Sequence, residues 1–287
     1  MDFSAIINTL SDIQIIGFLI EPLQYQFMVK ALIVSTIVGM TCAILSCYLI
    51  LKGWALLGDA VSHAVLPGVV FAYILGVPLG LGAFVFAMIA VFLIGFIRTN
   101  SKIKEDAIMG IVFTTLFALG LVVISKIVSS IDLTHILFGE VLGISDSSAW
   151  FTAIILGLTS AIILIFRKIF LVFCFDPTHA QSVGLPMTFI NYAFLALLAI
   201  TITGSIQTVG IILVIAMLIT PGSTAFLITK RFPTMLKIAV SISVISSIIG
   251  VYASWYFDVE TGGSIVLTQG LIFLAVFMYQ KINQAQT

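Results

Sequence analysis

Charged residues are scarce in this chain. Asp, Glu, Lys and Arg make up only 8% of its 287 residues, and 61% are hydrophobic, whereas a soluble domain carries roughly 25% charged residues. This composition excludes a soluble globular protein and predicts an integral protein of the lipid bilayer. No nucleic-acid partner is expected.

Cysteine and nucleotide-binding motifs are scarce as well. Of the three cysteines, Cys42 and Cys47 would lie about 140° apart around a helix and Cys174 is remote in sequence, so neither a disulfide nor a CxxC metal site is indicated. Walker A, Rossmann and HExxH patterns are absent. We therefore expect no catalytic residue, no permanently bound cofactor and no enzyme activity of its own. Any energy for work must come from another chain.

Long uncharged runs indicate the membrane spans, since about 20 apolar residues cross a bilayer as a helix. They cover 79–97, 107–125, 149–166, 187–229, 238–257 and 261–280. The run 187–229 is too long for one span, and TGSIQ (203–207) is its most polar place to turn. With 28–51 and about 58–75 added, the sequence predicts an all-α membrane protein of about nine transmembrane helices. We expect one transmembrane domain over 26–283, preceded by an interfacial segment over 1–25 without a cleaved signal peptide.

Lysine and arginine predict the orientation, because cytoplasmic loops collect them. If nine spans alternate from an external N-terminus, only Lys30 and Lys126 fall outside. The cytoplasmic segments then hold Lys52, Arg98, Lys102, Lys104, Arg167, Lys168, Lys230, Arg231, Lys237 and Lys281. The C-terminus is therefore expected in the cytoplasm of a multi-pass protein of the cell membrane.

The longest cytoplasmic connection, FDPTHAQSVGLP (175–186), has the pattern of one short helix. Asp176 is suited to cap its start, Pro177 to its first position and Gly184 to the residue after its end. Such a helix has little apolar surface of its own. It is either a plain connector lying on the membrane or a helix that docks into a groove of a soluble partner.

GDAVSHAVLPG (58–68) places two polar side chains inside an apolar span. Asp59 and His63 are four residues apart, so both lie on one face of a helix and can approach one cation. His63 lies about 13 Å from the cytoplasmic end near Trp54, where an isolated charge costs on the order of 3 kcal/mol. The pair is predicted to face a pore or a partner as a metal site; the alternative is a hydrogen-bonded pair that only joins helices.

Pro67 and Gly68 follow the pair and predict a local break of the helix. A proline at 67 cannot donate to the carbonyl of His63, which leaves one more oxygen near the two side chains. Carboxylate suits Mn²⁺ and imidazole suits several transition metals, so the pair allows manganese without excluding zinc or ferrous iron.

Other polar residues have weaker indications. His135 and Glu140 either form a path for incoming metal or belong to a solvated loop or a short re-entrant helix. Glu105 and Asp106 are interpreted as favourable charges at a helix N-terminus.

Five stretches occur in an order that resembles the membrane permease of ABC importers for manganese, zinc or chelated iron. They are GDAVSHAVLPG, KEDAIMGIVF (104–113), LFGEVLGIS (137–145), DPTHAQSVGLP and VGIILVIAMLITPGSTA (209–225). The resemblance implies a second permease subunit, two cytoplasmic ATPase subunits and an extracytoplasmic metal-binding protein. It also implies an ATPase-coupling helix made of Asp176, Pro177, Thr178, His179, Ala180, Gln181, Ser182, Val183 and Gly184.

The resemblance predicts the pore-forming subunit of an ATP-driven importer of Mn²⁺ or Fe²⁺, since SHAVLPG is more similar to manganese and iron permeases than to zinc permeases. Two copies of Asp59 and His63 would then face each other in a dimer. A zinc importer of the same family, a proton-coupled secondary transporter and a non-transporting scaffold are the alternatives.

Overall fold

The computed structural model describes residues 20–126 and 141–285, and all its regular elements there are helices. A short 3-10 helix (Glu21–Gln24) comes first. The α-helices in chain order are α1 (Gln26–Lys52), α2 (Ala55–Leu75), α3 (Leu79–Asn100), α4 (Glu105–Ile124), α5 (Asp146–Ile165), α6 (Arg167–Phe175), α7 (Pro177–Ser182), α8 (Met187–Ile228), α9 (Phe232–Phe257) and α10 (Thr261–Ala285).

Nine helical segments of the described chain are long and apolar enough to cross a bilayer, which confirms the predicted all-α membrane fold. Helix α8 supplies two of them, Met187–Ile206 (α8a) and Thr208–Ile228 (α8b). The predicted interfacial segment lies mostly outside the described residues, which begin at Ile20.

The chain reverses direction within α8. The ring centroids of Tyr48 and Phe194 are 6.1 Å apart, and the backbone N–H of Gly222 donates to Ser46 Oγ at 3.0 Å. An unbroken helix would separate residues 194 and 222 by about 42 Å, yet both lie beside the same end of α1. The backbone leaves helical geometry at Gly210 (φ 77°, ψ 168°). Two spans are therefore confirmed, but the predicted turn at 203–207 was wrong by a few residues.

Thr203 of TGSIQ and Thr208 directly after it remain helical, and their hydroxyl groups bond to the helix itself. Thr203 Oγ1 donates to the carbonyl of Ala199 at 2.8 Å, and Thr208 Oγ1 donates to the carbonyl of Ser205 at 2.9 Å. Such bonds to preceding carbonyls satisfy a hydroxyl without ending a helix. Glycine at 210, with a positive φ that other residues rarely adopt, provides the break instead.

Helix α1 is largely buried, and small residues bring its neighbours close. A Cβ on Gly39 would lie 2.5 Å from Ser243 Oγ of α9, and Thr41 Oγ1 lies 2.8 Å from Ser160 Oγ of α5. Close backbone approach at small residues is how helices associate in lipid, where no hydrophobic effect drives them together. Helices α5, α8 and α9 pack against α1, and the outer faces of the bundle expose apolar side chains.

Opposite ends of the bundle differ in charge. One end, called the basic end below, holds the junctions α1–α2, α3–α4, α5–α8 and α8–α9. At the opposite end, Lys30 of α1 forms an ion pair with Asp146 at the start of α5. This pair neutralises one of the two basic residues that the positive-inside pattern leaves outside the cytoplasmic segments.

Candidate metal site

Helix α2 carries the candidate site. Gly53 ends α1 in the left-handed conformation (φ 75°), Trp54 follows as the N-cap residue, and α2 begins at Ala55. Most of α2 is buried within the chain, including its middle from residue 64 to 70. Leu56, Asp59 and His63 are the partly exposed residues of its first half beyond Ala55, and their spacing places them along one face.

Asp59 and His63 come together as predicted from their spacing. His63 Nε2 lies 3.3 Å from Asp59 Oδ1, and the side chains are 22% and 34% exposed, respectively. Two ligand atoms that are each about 2.1 Å from one ion lie about 3.0 Å apart at a right angle and about 3.4 Å apart at a tetrahedral angle. The observed separation lies within the range for two ligands of one cation.

Two aromatic rings of α4 enclose the imidazole of His63. The ring centroids of Phe113 and Phe117 lie 4.9 and 5.4 Å from that of His63. His63 Nδ1 is buried and has no hydrogen-bond partner within the described chain. The rings limit the motion of the imidazole and leave Nε2, on the Asp59 side, as the nitrogen placed to meet a cation.

The helix does not break after the pair, contrary to the expectation for Pro67 and Gly68. Helix α2 continues through both residues to Leu75. Pro67 still offers no N–H to the carbonyl of His63, but Gly68 has another role. A Cβ on Gly68 would lie 2.2 Å from the carbonyl oxygen of Gly82 in α3, and the reverse contact is equally close. Gly68 is thus a helix-crossing residue, and α3 and α4 pack against α2 around the proline-containing segment.

One chain supplies only part of a coordination sphere. Among the described residues, no group of three or more His, Cys, Asp or Glu side chains could hold a metal ion. His135 and Glu140 lie outside the described residues. Cys42, Cys47 and Cys174 are buried free thiols, and burial raises the pKa of Cys174 to about 12, so this thiol stays protonated near neutral pH.

The short helix predicted at 176–184 forms as α7, Pro177–Ser182. Its end has the two hydrogen bonds of a Schellman motif: Leu185 N–H donates to the carbonyl of Ala180 at 3.1 Å and Gly184 N–H to that of Gln181 at 3.0 Å. Gly184 has the predicted left-handed conformation, with φ 80°. Ala180 is fully buried against the bundle, whereas Val183 is 64% exposed. Helix α7 is therefore fixed on one side and open on the other.

Sequence reasoning missed the contacts of Glu105. Its Oε2 accepts a hydrogen bond from Trp54 Nε1 at 2.5 Å, and its Oε1 lies 2.7 Å from Arg98 Nε. Glu105 is thus a partner for two side chains on other helices and not only a favourable charge at a helix start. Trp54 is 51 positions away in the chain, so no local spacing could have indicated the bond.

Comparison with known proteins gives a consistent result over nearly the whole chain. The ABC 3 transport family matches residues 24–280. The manganese transport system membrane protein MntB of Synechocystis sp. is 52% identical over 90% of this chain and 84% of its own length. The chelated iron transport system membrane protein YfeD of Yersinia pestis is 49% identical over 92% of this chain and 89% of its own length.

Solved structures show the same architecture. PsaBC from Streptococcus pneumoniae in complex with Fab aligns with a TM-score of 0.82 at 38% identity, covering 92% of this chain and 95% of that one. An inward-facing putative metal-chelate type ABC transporter aligns with a TM-score of 0.69 at 17% identity, covering 87% and 83%. The second likeness concerns the fold alone.

Proposed function

The chain belongs to the ABC 3 transport family, and we propose from this premise that it is the pore-forming permease subunit of an ATP-driven importer of divalent transition-metal ions. The observation that carries the proposal is the Asp59–His63 pair, partly exposed on a membrane-spanning helix with its ligand atoms 3.3 Å apart. A carboxylate and an imidazole at membrane depth mark a substrate pathway more often than a structural contact. The relatives named above point to manganese or iron as the ion.

A second permease subunit completes the site. One chain offers two side-chain ligands, and the face of α2 that bears them is partly exposed in the single chain. A second subunit related by an axis through this face adds another carboxylate and another imidazole. Four such ligands, with water or a backbone carbonyl, suit the higher coordination number of Mn²⁺ and also accommodate Fe²⁺. We therefore place the transport site at the subunit interface.

The basic end faces the cytoplasm of a cell whose plasma membrane holds the complex. Short cytoplasmic connections collect Lys and Arg, and ten of the twelve basic residues fall there under the nine-span topology. An extracytoplasmic metal-binding protein delivers the ion at the opposite end.

Helix α7 docks the ATPase subunits at the basic end. The chain lacks a Walker A motif, so hydrolysis takes place in another protein and its motion must enter the permease through a contact. Helix α7 has the properties of such a contact, because Ala180 anchors it to the bundle while Phe175 and Val183 on either side are 78% and 64% exposed. The segment 176–184 accordingly couples hydrolysis to movement of the spans.

The proposal is tested by uptake into liposomes that contain the permease with its ATPase. Mn²⁺ uptake is measured with ATP on the cytoplasmic side and the metal-binding protein outside, with Zn²⁺ and Fe²⁺ as competitors under anaerobic conditions. We expect uptake that requires ATP and that Fe²⁺ inhibits. Uptake driven by a pH gradient without ATP would identify a secondary transporter, and absence of uptake under every condition would identify a scaffold; either result contradicts the proposal.

A further inference from the structure

Trp54 lies where several helices meet at the basic end. It directly precedes α2, its side chain is 3% exposed, and its indole N–H donates to Oε2 of Glu105, the first residue of α4. The other carboxylate oxygen of Glu105 pairs with Arg98 in the last turn of α3. Two side-chain contacts of one carboxylate therefore join the start of α2, the end of α3 and the start of α4.

Two cationic side chains also contact the Trp54 ring, and one of them, Lys52, contacts α6 as well. Arg98 Cζ and Lys52 Nζ lie 5.2 and 5.5 Å from the indole centroid, within the range of cation–π attraction. Lys52 Nζ also donates to the carbonyl of Phe173 at 3.1 Å and lies 4.3 Å from its ring centroid. The rings of Phe173 and Trp54 meet edge to face at 6.3 Å.

This contact connects the docking segment with the metal-site helix. Helix α6 ends at Phe175, two positions before Pro177, the first residue of α7. A displacement of α7 therefore reaches Phe173 within one helical turn. Phe173 in turn contacts Lys52 and Trp54 on both sides of the α1–α2 junction.

A continuous helix connects Trp54 with the proposed transport site. Helix α2 is unbroken from Ala55 to Leu75, so Asp59 and His63 follow Trp54 by about 7.5 and 13.5 Å along one axis. Helix α4, which presses Phe113 and Phe117 against His63, begins at the residue that Trp54 binds. The Trp54–Glu105 bond thus fixes the axial register of α2, which carries His63, relative to α4, whose aromatic rings enclose the imidazole.

We propose that Trp54 is a positioning residue for metal transport: held by Glu105 and Arg98, it sets the register of α2 against α4 and conveys displacement of α6 and α7 to Asp59 and His63. The inference rests on the proposed function of that pair. It assigns Glu105 a role in coupling, although Glu105 does not touch the transported ion.

Coupling stoichiometry tests the proposal, measured as metal ions transported per ATP hydrolysed by the reconstituted complex. Trp54→Phe keeps an aromatic ring at position 54 and removes the N–H donor, while Glu105→Gln removes the charge that pairs with Arg98. We expect each variant to lower the ratio at least fivefold. The double variant should lower it no further than the more severe single variant, because both changes weaken the same Trp54–Glu105–Arg98 network.

Two matched variants serve as controls. Asp106→Asn removes an exposed carboxylate from the residue next to Glu105, and Trp150→Phe makes the same indole change at a side chain that is 71% exposed on α5. Both should keep the parent ratio. A residue that only fills space would instead lower the amount of assembled complex and leave the ratio of the assembled fraction unchanged.

The parent complex separates the two possible failures. If the parent complex shows ATP-dependent uptake and both Trp54→Phe and Glu105→Gln keep its ratio of metal to ATP, only this inference is overturned. No ATP-dependent uptake by the parent overturns the proposed function and this inference with it. If Trp54→Phe does not assemble, Lys52→Gln tests the link through Phe173 while leaving the Trp54–Glu105 bond in place, and a parent ratio there contradicts the proposal.

Discussion

Asp59 and His63 lie one turn apart on α2, with Nε2 of His63 3.3 Å from Oδ1 of Asp59. The pair is partly exposed although the residues that follow it on α2 are buried. Charged groups at membrane depth are stable only beside a partner, water or a bound ion. Under the proposed function, a second subunit at this face would supply the missing partner groups.

Asp59→Asn should reduce metal uptake at least tenfold. The substitution keeps the shape of the side chain but removes the anionic ligand, and a tenfold loss corresponds to about 1.4 kcal/mol. Uptake into liposomes by the assembled complex is the measurement, with Asp106→Asn as the matched change at an exposed carboxylate. Normal uptake of every metal by assembled Asp59→Asn would leave the pair as a structural contact between helices.

His63→Ala should also reduce Mn²⁺ uptake, and it should weaken inhibition by Zn²⁺ more than it weakens Mn²⁺ uptake. Imidazole is a preferred ligand of zinc, whereas manganese is served well by carboxylate oxygen. The measurement is the Zn²⁺ concentration that halves Mn²⁺ uptake, for parent and variant. An unchanged value would show that zinc does not compete at His63.

Gly68→Ala should destabilise the bundle, because its new Cβ would lie 2.2 Å from the carbonyl oxygen of Gly82. Overpacking of this kind typically costs about 1–3 kcal/mol. Thermal unfolding in detergent measures the effect, and Gly157→Ala on α5 is the control because nothing lies within 4 Å of its Cβ position. Equal midpoints for the two variants would mean that α2 and α3 separate easily at this crossing.

Much of the fold could be predicted from the sequence because each span is recognisable from its own local sequence. Uncharged runs of about 20 residues mark the helices, and the Pro177 and Gly184 signals mark α7 through backbone preferences that depend on few neighbours. The Asp59–His63 contact was equally accessible, since it needs only the four-residue period of a helix.

What could not be predicted depends on contacts between distant parts of the chain. Pro67 and Gly68 indicate a break locally, but the approach of Gly82 gives Gly68 a packing role instead. Glu105 lies at a helix start, where its charge already has a sufficient explanation, and its bond to Trp54 emerges only when α2 and α4 are packed together. In both cases a contact with a distant part of the chain gives the residue a role that its local sequence does not indicate.

Introduced cysteines should distinguish the two ends of the bundle. Val259→Cys lies at the end opposite the basic end, while Val183→Cys and Thr234→Cys lie at the basic end, and all three positions are exposed. We expect a membrane-impermeant maleimide to label position 259 in intact cells and positions 183 and 234 only after permeabilisation. The native cysteines are buried, which keeps the background low. Labelling of 183 from outside would reverse the proposed orientation.

Gly184→Val should uncouple ATP hydrolysis from transport. Gly184 has φ 80°, a conformation that a β-branched residue adopts only with strain of roughly 1–2 kcal/mol, so Val should distort the end of α7 and its exposed face. Gly184→Asn is the matched control, because Asn tolerates the left-handed region. Binding of the ATPase and metal transported per ATP should both fall for Val and stay near the parent values for Asn. If the Val variant transports at the parent rate with the ATPase bound, the segment 176–184 only connects α6 to α8, and hydrolysis must be coupled through another surface of the basic end.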